Sequence, residues 1–267
     1  MCAQARQETA GPNEDGPTTY SFPKRMATEA IATGLLLATV VGSGIMGDRL
    51  SGGNVAIALL ANTVATGAGL VALILTFGHV SGAHMNPAVT IAAAFRGQAP
   101  FSEVPGYVIA QVAGAFVGVA AAHVMFGEPT FSLSVHVRAG APQLLSEGLA
   151  TFGLLSIIWG CSKARASSVP FAVGAYITAA YWFTSSTSFA NPAVTLARAV
   201  TCTFAGIRPI DVPGFVVAQT AGAILATVLF TWLERPHRTH ATRSSFTAEI
   251  RINATTGGKP TAGAAAM

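Results

Sequence analysis

Charged side chains are scarce in this chain. Asp, Glu, Lys and Arg together make up only 10% of its 267 residues, whereas 51% are hydrophobic. Soluble domains carry about a quarter charged residues, so most of this surface cannot face water. The apolar excess therefore predicts a protein that is embedded in lipid.

Cysteine is also rare, and what there is does not pair. Cys2, Cys161 and Cys202 have neither disulfide nor zinc-type spacing. His79 and His84 are five residues apart without an acid or thiol beside them, so we expect no metal site and no cofactor. The sequence shows no combination of Ser, His and Asp that would indicate a catalytic site, so we do not expect an enzyme. The net charge of +4 is scattered over loop ends and tails, which argues against a nucleic-acid partner.

Long apolar runs dominate the rest of the chain. They cover about 28–47, 54–77, 104–126, 144–161, 169–183 and 212–233. Two further apolar pieces, 88–95 and one that reaches about residue 200, are far shorter than the roughly 20 residues that a span needs. The pattern predicts an all-α membrane fold of six transmembrane helices plus two half-helices.

The chain divides into two halves between polar ends. A first tail without a signal-peptide core and a last tail rich in Thr and basic residues are expected to be disordered and cytoplasmic. The expected segments are a tail at 1–25, a first repeat at 26–126, a connecting extracellular loop at 127–143, a second repeat at 144–233 and a tail at 234–267.

Short phrases recur in the two halves. Asn-Pro-Ala-Val-Thr occurs twice, 105 positions apart, at 86–90 and 191–195. Weaker similarities relate 29–33 to 147–151 and 104–111 to 212–219. Each half has three spans, and an odd number inverts the second half relative to the first. The sequence thus predicts an inverted repeat whose site lies near the membrane midplane.

Basic residues predict the orientation. Eleven of the fifteen Lys and Arg residues fall on the side of the two termini, and four fall on the opposite side. By the positive-inside rule, both termini of this multi-pass protein are cytoplasmic, and we expect it in the inner (plasma) membrane.

The repeated phrase has a physical interpretation. Asn is a favoured N-cap and Pro suits the first helical position, so Asn86 and Asn191 are each expected to begin a half-helix. Two half-helices that meet at their N-termini direct positive dipole ends to one point, where they repel cations and protons. The free amide N–H groups can hold a neutral hydroxyl-bearing solute. This arrangement favours a pore for small uncharged polar molecules.

These motifs resemble those of the aquaporin (major intrinsic protein) family. The resemblance covers about residues 26–233. It is carried by the doubled Asn-Pro-Ala box, the Ser81–His84 segment, the acid in spans one and four, and the spans that contain Gln111 and Gln219. It implies a homotetramer with one pore per subunit.

The resemblance also implies roles for single residues. The boxes are Asn86, Pro87, Ala88, Asn191, Pro192 and Ala193. Their asparagines act as midpore donors, Glu29 and Glu147 are buried acceptors that hold loop backbone, and His84 lies near the cytoplasmic entry.

The chain departs from the family directly after the second box. Most members have an arginine there, at the narrow selectivity filter, whereas this chain has Val194. The other filter positions are expected at Thr66, Tyr181 and Ser188. Arg198 follows one helical turn later, about 6 Å along the half-helix, where it adds positive charge to the vestibule but not to the constriction.

Loss of the filter arginine favours a wider pore for larger neutral solutes with several hydroxyls. Glycerol and arsenite, As(OH)3, fit this description, and residues 186–207 resemble a bacterial branch of the family associated with arsenic-resistance operons. The alternatives are a water-selective aquaporin and a closed-pore interaction or scaffold protein. A coupled transporter is disfavoured because the boxes offer no titratable residue.

Overall fold

The computed structural model describes residues 20–235, and the expectations for the outer parts of both tails lie outside this range. The contacts discussed below lie within the compact unit that ends at Thr231. No β-strand occurs in the described range. The helices are α1 (Phe22–Leu50), α2 (Val55–Ser81), α3 (Pro87–Phe95), α4 (Val104–Phe126), α5 (Ala141–Arg165), α6 (Val169–Phe183), α7 (Pro192–Ala197) and α8 (Val212–Leu233).

Two helices begin earlier than the apolar runs indicate. α1 starts at Phe22, so the expected tail boundary at residue 25 falls inside its first turn. Arg25 pairs there with Glu103 through two hydrogen bonds of 2.7 and 2.5 Å, which offsets the charge that had marked a polar tail. α5 starts at Ala141, within the expected loop, because a proline suits the first turn of a helix.

Five continuous helical stretches in the described range are long and apolar enough to cross a membrane. One of them, Ala141–Phe183, contains both α5 and α6. The chain reverses direction between these two helices. The contact that shows this is the hydrogen bond from the Tyr176 hydroxyl on α6 to the Ala150 carbonyl on α5, at 3.1 Å. The stretch therefore provides two antiparallel helices, and six long helices and two short ones make up the described fold.

The helices follow the internal repeat. α1 packs against α2 and α4, α2 packs against α6, and α5 packs against α6. The short helices α3 and α7 contact each other, and most of their residues are buried. Many apolar side chains of the long helices are exposed, such as Leu50, Ile109 and Val117. In a membrane these side chains face lipid.

Glycines bring long helices into close contact at matching places in the two halves. A Cβ atom on Gly114 of α4 would overlap the Ala30 carbonyl of α1. A Cβ atom on Gly222 of α8 would likewise overlap the Gly148 carbonyl of α5. Small residues allow such backbone approaches in membrane bundles, so these glycines set the spacing of the helices that carry the buried acids.

We expect Gly114→Ala to destabilise the protein. The added methyl group must displace the α1 backbone, and overpacking of this kind costs about 1–3 kcal/mol of unfolding free energy. Thermal unfolding of the purified protein in detergent measures the loss. Gly78→Ala is the matched control, because its new Cβ atom would meet only a side-chain atom of Ile74 at 3.9 Å. Equal effects of the two substitutions would contradict close packing at Gly114.

Candidate functional site

The two Asn-Pro-Ala boxes begin the two short helices. Asn86 precedes α3 and its Oδ1 accepts the backbone N–H of Ala88 at 2.9 Å. Asn191 precedes α7 and its Oδ1 accepts the backbone N–H of Ala193 at 3.0 Å. Both asparagines have extended backbone, as N-cap residues require. The helices therefore start at the boxes with their first N–H groups satisfied.

Each box asparagine also bonds to the opposite half of the molecule. Asn86 Nδ2 donates to the Ala190 carbonyl at 2.8 Å, and Asn191 Nδ2 donates to the Met85 carbonyl at 2.7 Å. From the sequence, we expected the amide donors to be free. One N–H of each amide instead joins the two boxes, which leaves the second N–H of each for another acceptor.

The loops before the boxes contain left-handed backbone at equivalent positions. Ala83 and Met85 have φ angles of 45° and 49°, and Ser188 and Ala190 have 49° and 48°. The second pair lies 105 positions after the first, as the boxes do. Left-handed backbone is costly for residues other than glycine, so other contacts must hold these turns.

Glu29 of α1 holds the first loop. Its carboxylate accepts the Ser81 hydroxyl at 2.6 Å and the backbone N–H groups of His84 and Met85 at 3.0 and 2.7 Å. It also accepts Gln111 Nε2 at 2.7 Å. Four donors therefore surround one fully buried acid. They compensate the negative charge of the carboxylate, and the carboxylate in turn accepts the N–H groups of the strained loop.

Glu147 of α5 does the same for the second loop. It accepts the backbone N–H groups of Phe189 and Ala190 at 2.8 and 2.9 Å, and Gln219 Nε2 at 2.6 Å. Gln219 Nε2 also lies 2.9 Å from the Thr195 hydroxyl on α7. The acid thereby connects α5, α8, the strained loop and the half-helix.

One cavity of about 210 Å³ runs past both boxes. Asn86 and Asn191 line it, and so do all the residues expected at the filter and the entry. Those residues are Thr66, Tyr181, Ser188, Val194 and His84. The structure therefore brings together side chains that are more than 100 positions apart in the chain.

The polar residues of this set differ in their partners. The Tyr181 hydroxyl donates to the Thr66 hydroxyl at 3.3 Å and joins α6 to α2. The Ser188 hydroxyl is buried without a partner in the described part of the chain. The Val194 side chain is buried and apolar. This part of the cavity wall therefore contains an aliphatic surface beside a serine whose hydroxyl is buried.

The two histidines near the first box have separate contacts. His84 Nδ1 lies 3.1 Å from the Thr90 hydroxyl, and its ring centroid lies 5.6 Å from that of Tyr107. The His79 ring contacts Tyr20 edge to face. Within residues 20–235, no group of three His, Cys, Asp or Glu side chains is arranged to hold a metal ion.

Arg198, which the sequence places in the vestibule, is one of the residues in the wall of this cavity. Its side chain is buried and lines the cavity together with Val194. Its Nε donates to the Ala205 carbonyl, and its guanidinium lies over the Phe189 ring. No motif in the sequence indicates a role for Phe189 or for Arg138, which also contacts this ring. No local pattern signals that contact, because loop residue Arg138 is held by a carbonyl 68 positions away.

Comparison with known proteins identifies a family and relatives for this chain. The family described as Major intrinsic protein matches residues 17–188 and 161–257. Aquaglyceroporin AqpS of Rhizobium meliloti (strain 1021) is 53% identical over 219 residues, which are 82% of this chain and 94% of that protein. Aquaporin Z of Bradyrhizobium diazoefficiens is 30% identical over 227 residues, which are 79% and 93% of the two chains.

A solved structure shares the fold. The aquaglyceroporin from Plasmodium falciparum superposes with a TM-score of 0.61 at 20% identity, and the match covers 80% of this chain and 95% of that one. The prediction of an all-α membrane fold of this type is confirmed.

We expect Glu147→Gln to destabilise the protein strongly. The new amide turns an N–H donor toward the N–H groups of Phe189 and Ala190, and losing such a buried charged acceptor costs about 3 kcal/mol. Thermal unfolding and gel filtration in detergent measure the effect. Glu128→Gln is the control, because Glu128 pairs with Arg49 at the exposed loop. Unchanged stability of the Glu147 variant would show that this acid does not hold the loop.

Proposed function

The chain belongs to the major intrinsic protein family, and on that basis we propose that it is a passive channel for small neutral polar solutes. It is a multi-pass membrane protein with the aquaporin fold, and it is not an enzyme. We propose that water and glycerol-like polyols pass, and with them metalloid hydroxides such as arsenite. The Rhizobium relative is named an aquaglyceroporin, which supports a polyol as a solute.

The proposed path passes between the two boxes. Asn86 and Asn191 line the cavity, and each keeps one N–H beyond the bond that joins the boxes. Both half-helices direct their N-termini to this point, where their dipoles favour an oxygen acceptor and oppose a cation. A neutral solute with hydroxyl oxygens can accept both amide hydrogen bonds without bringing charge into the membrane.

We propose Thr66, Tyr181, Ser188 and Val194 as the selectivity filter. The observation that carries this proposal is that these four residues, among them the apolar Val194, line one cavity beside the boxes. Val194 provides width and an apolar surface at the position where most members of the family carry a guanidinium group. A trihydroxy solute close to glycerol in size suits such a wall better than water alone.

The assembly and the location are proposals as well. The exposed apolar side chains of the long helices suit lipid and further copies of the chain, which supports a homotetramer with one pore per subunit. The excess of basic residues on the side of the termini supports an inner (plasma) membrane protein with both termini cytoplasmic.

Stopped-flow measurements on proteoliposomes test the solute. We expect glycerol and arsenite flux in addition to water flux for the unchanged protein. Val194→Arg should reduce the two larger solutes about tenfold and retain water flux, because a bulky guanidinium narrows the wall and raises the barrier for larger solutes.

Val194→Leu is the matched control, because it adds volume without a donor or a charge. Unchanged glycerol and arsenite flux in Val194→Arg would place the constriction elsewhere. Water flux alone in the unchanged protein would favour a water-selective channel. No flux of any solute would favour a closed-pore interaction protein.

Native cysteines test the orientation. Cys202 is exposed in the loop after α7, on the side opposite the termini in the proposed topology. A variant that retains only Cys202 should react with a membrane-impermeant maleimide in intact spheroplasts. A variant that retains only Cys2 should react only after lysis. The reverse pattern would overturn the proposed topology.

A further inference from the structure

Two arginines contact one aromatic ring beside the second box. The guanidinium carbon of Arg198 lies 3.4 Å from the centroid of Phe189, and that of Arg138 lies 4.9 Å from it. Cations within about 6 Å of a ring centroid are attracted by the ring quadrupole. The backbone N–H of Phe189 is held by Glu147, so the ring is a fixed platform for both cations.

Neutral backbone groups hold both guanidinium groups in place. Arg198 Nε donates to the Ala205 carbonyl. Arg138 Nε donates to the adjacent Gly206 carbonyl at 2.8 Å, and its Nη1 donates to the Ser186 carbonyl at 3.0 Å. Carbonyl oxygens orient the two side chains without neutralising them, so both positive charges persist.

Neither guanidinium group is paired with a carboxylate in the part of the chain that the structure describes. The backbone N–H of Arg138 donates to the Asp211 carboxylate at 2.9 Å, but that carboxylate pairs with the Arg208 guanidinium. Glu147 is the acid that contacts the same loop, but its oxygens accept N–H groups of Phe189, Ala190 and Gln219. The arginine pair therefore leaves uncompensated positive charge beside the cavity.

Arg198 is the member of the pair that lines the cavity. In the described part of the chain its Nε is the guanidinium nitrogen with a hydrogen-bond partner, so its two terminal nitrogens are available to what passes. Val194 lines the same cavity one helical turn earlier, about 6 Å away along the half-helix axis. The fixed charge and the apolar wall thus occupy successive turns of one segment.

We propose that Arg198, supported by Arg138 as a positioning residue, is the specificity determinant that excludes cations and protons from this pore. The inference rests on the channel function proposed above and concerns the same cavity. In this arrangement Val194 sets the width of the path and Arg198 sets its charge. A neutral solute passes and accepts hydrogen bonds from the guanidinium, whereas Na⁺ or H₃O⁺ meets an unpaired positive charge in a low dielectric.

Cation leak in proteoliposomes tests the proposal. Vesicles loaded with a pH-sensitive dye report proton entry, and a sodium dye reports Na⁺ entry, while light scattering follows water and glycerol in the same preparation. We expect Arg198→Gln to raise both leaks about tenfold, because removal of one unit charge lowers the electrostatic barrier by roughly that factor. Glycerol flux should change much less, because glycerol carries no charge.

Three further variants separate charge from structure. Arg198→Lys retains the charge and should stay cation-tight. Val194→Arg combined with Arg198→Gln moves the charge to the usual filter position and should restore the barrier. Arg49→Gln removes a partly exposed, paired arginine from the last turn of α1 and should have no effect. If gel filtration shows that the Arg198→Gln variant does not fold, the Arg138→Gln variant replaces it. We expect Arg138→Gln to raise the proton and Na⁺ leaks by a smaller factor.

The outcomes distinguish this inference from the proposed function. Normal glycerol flux with an unchanged leak in the Arg198→Gln and Arg138→Gln variants would overturn the role of the arginines and leave the channel intact. An equal leak in Arg198→Lys and Arg198→Gln would also overturn it, because charge would then not be the cause. Absence of any solute flux in the unchanged protein would instead refute the channel, and with it the inference.

Discussion

A buried carboxylate in each half holds a loop that would otherwise be strained and unpaired. Met85 and Ala190, the residues before the boxes, have left-handed backbone. Each donates its N–H to an acid of its own half and accepts the box amide of the other half. Non-helical backbone survives at membrane depth only where protein or a wet cavity satisfies it. Glu29 and Glu147 meet that condition, and the positions of both half-helices depend on them.

The arrangement of the half-helices follows from this constraint. Because Asn86 and Asn191 are joined to the opposite loops, α3 and α7 must meet at their N-terminal ends. Their dipoles therefore converge on the cavity, and one N–H of each amide stays available there. Close glycine contacts, such as that of Gly114 with α1, set the distance between the helices that carry the acids and the glutamines. Packing in the bundle and chemistry in the cavity are thus parts of one network.

We propose that width and charge are separated along the segment that begins with the second half-helix. Val194 presents an aliphatic surface to the cavity, and Arg198 presents a guanidinium one turn later. An arginine at position 194 would supply both bulk and charge at one place. Position 194 carries no bulky side chain in this protein. The guanidinium of Arg198 lies over the Phe189 ring, and Arg138, from the loop between the halves, contacts the same ring. A path that is wide for neutral solutes and closed to cations is a physically consistent result.

Local sequence determined much of this architecture. Apolar runs without charge must become helices in lipid, and the runs at 104–126, 169–183 and 212–233 coincide with α4, α6 and α8. The doubled box located the two half-helices. The tertiary structure decided three other features. They are the early start of α1, the hydrogen bond between Tyr181 and Thr66, and the contact of Arg198 and Arg138 with one aromatic ring. These features join residues up to 115 positions apart, and no periodicity within one segment encodes which side chains meet across the cavity.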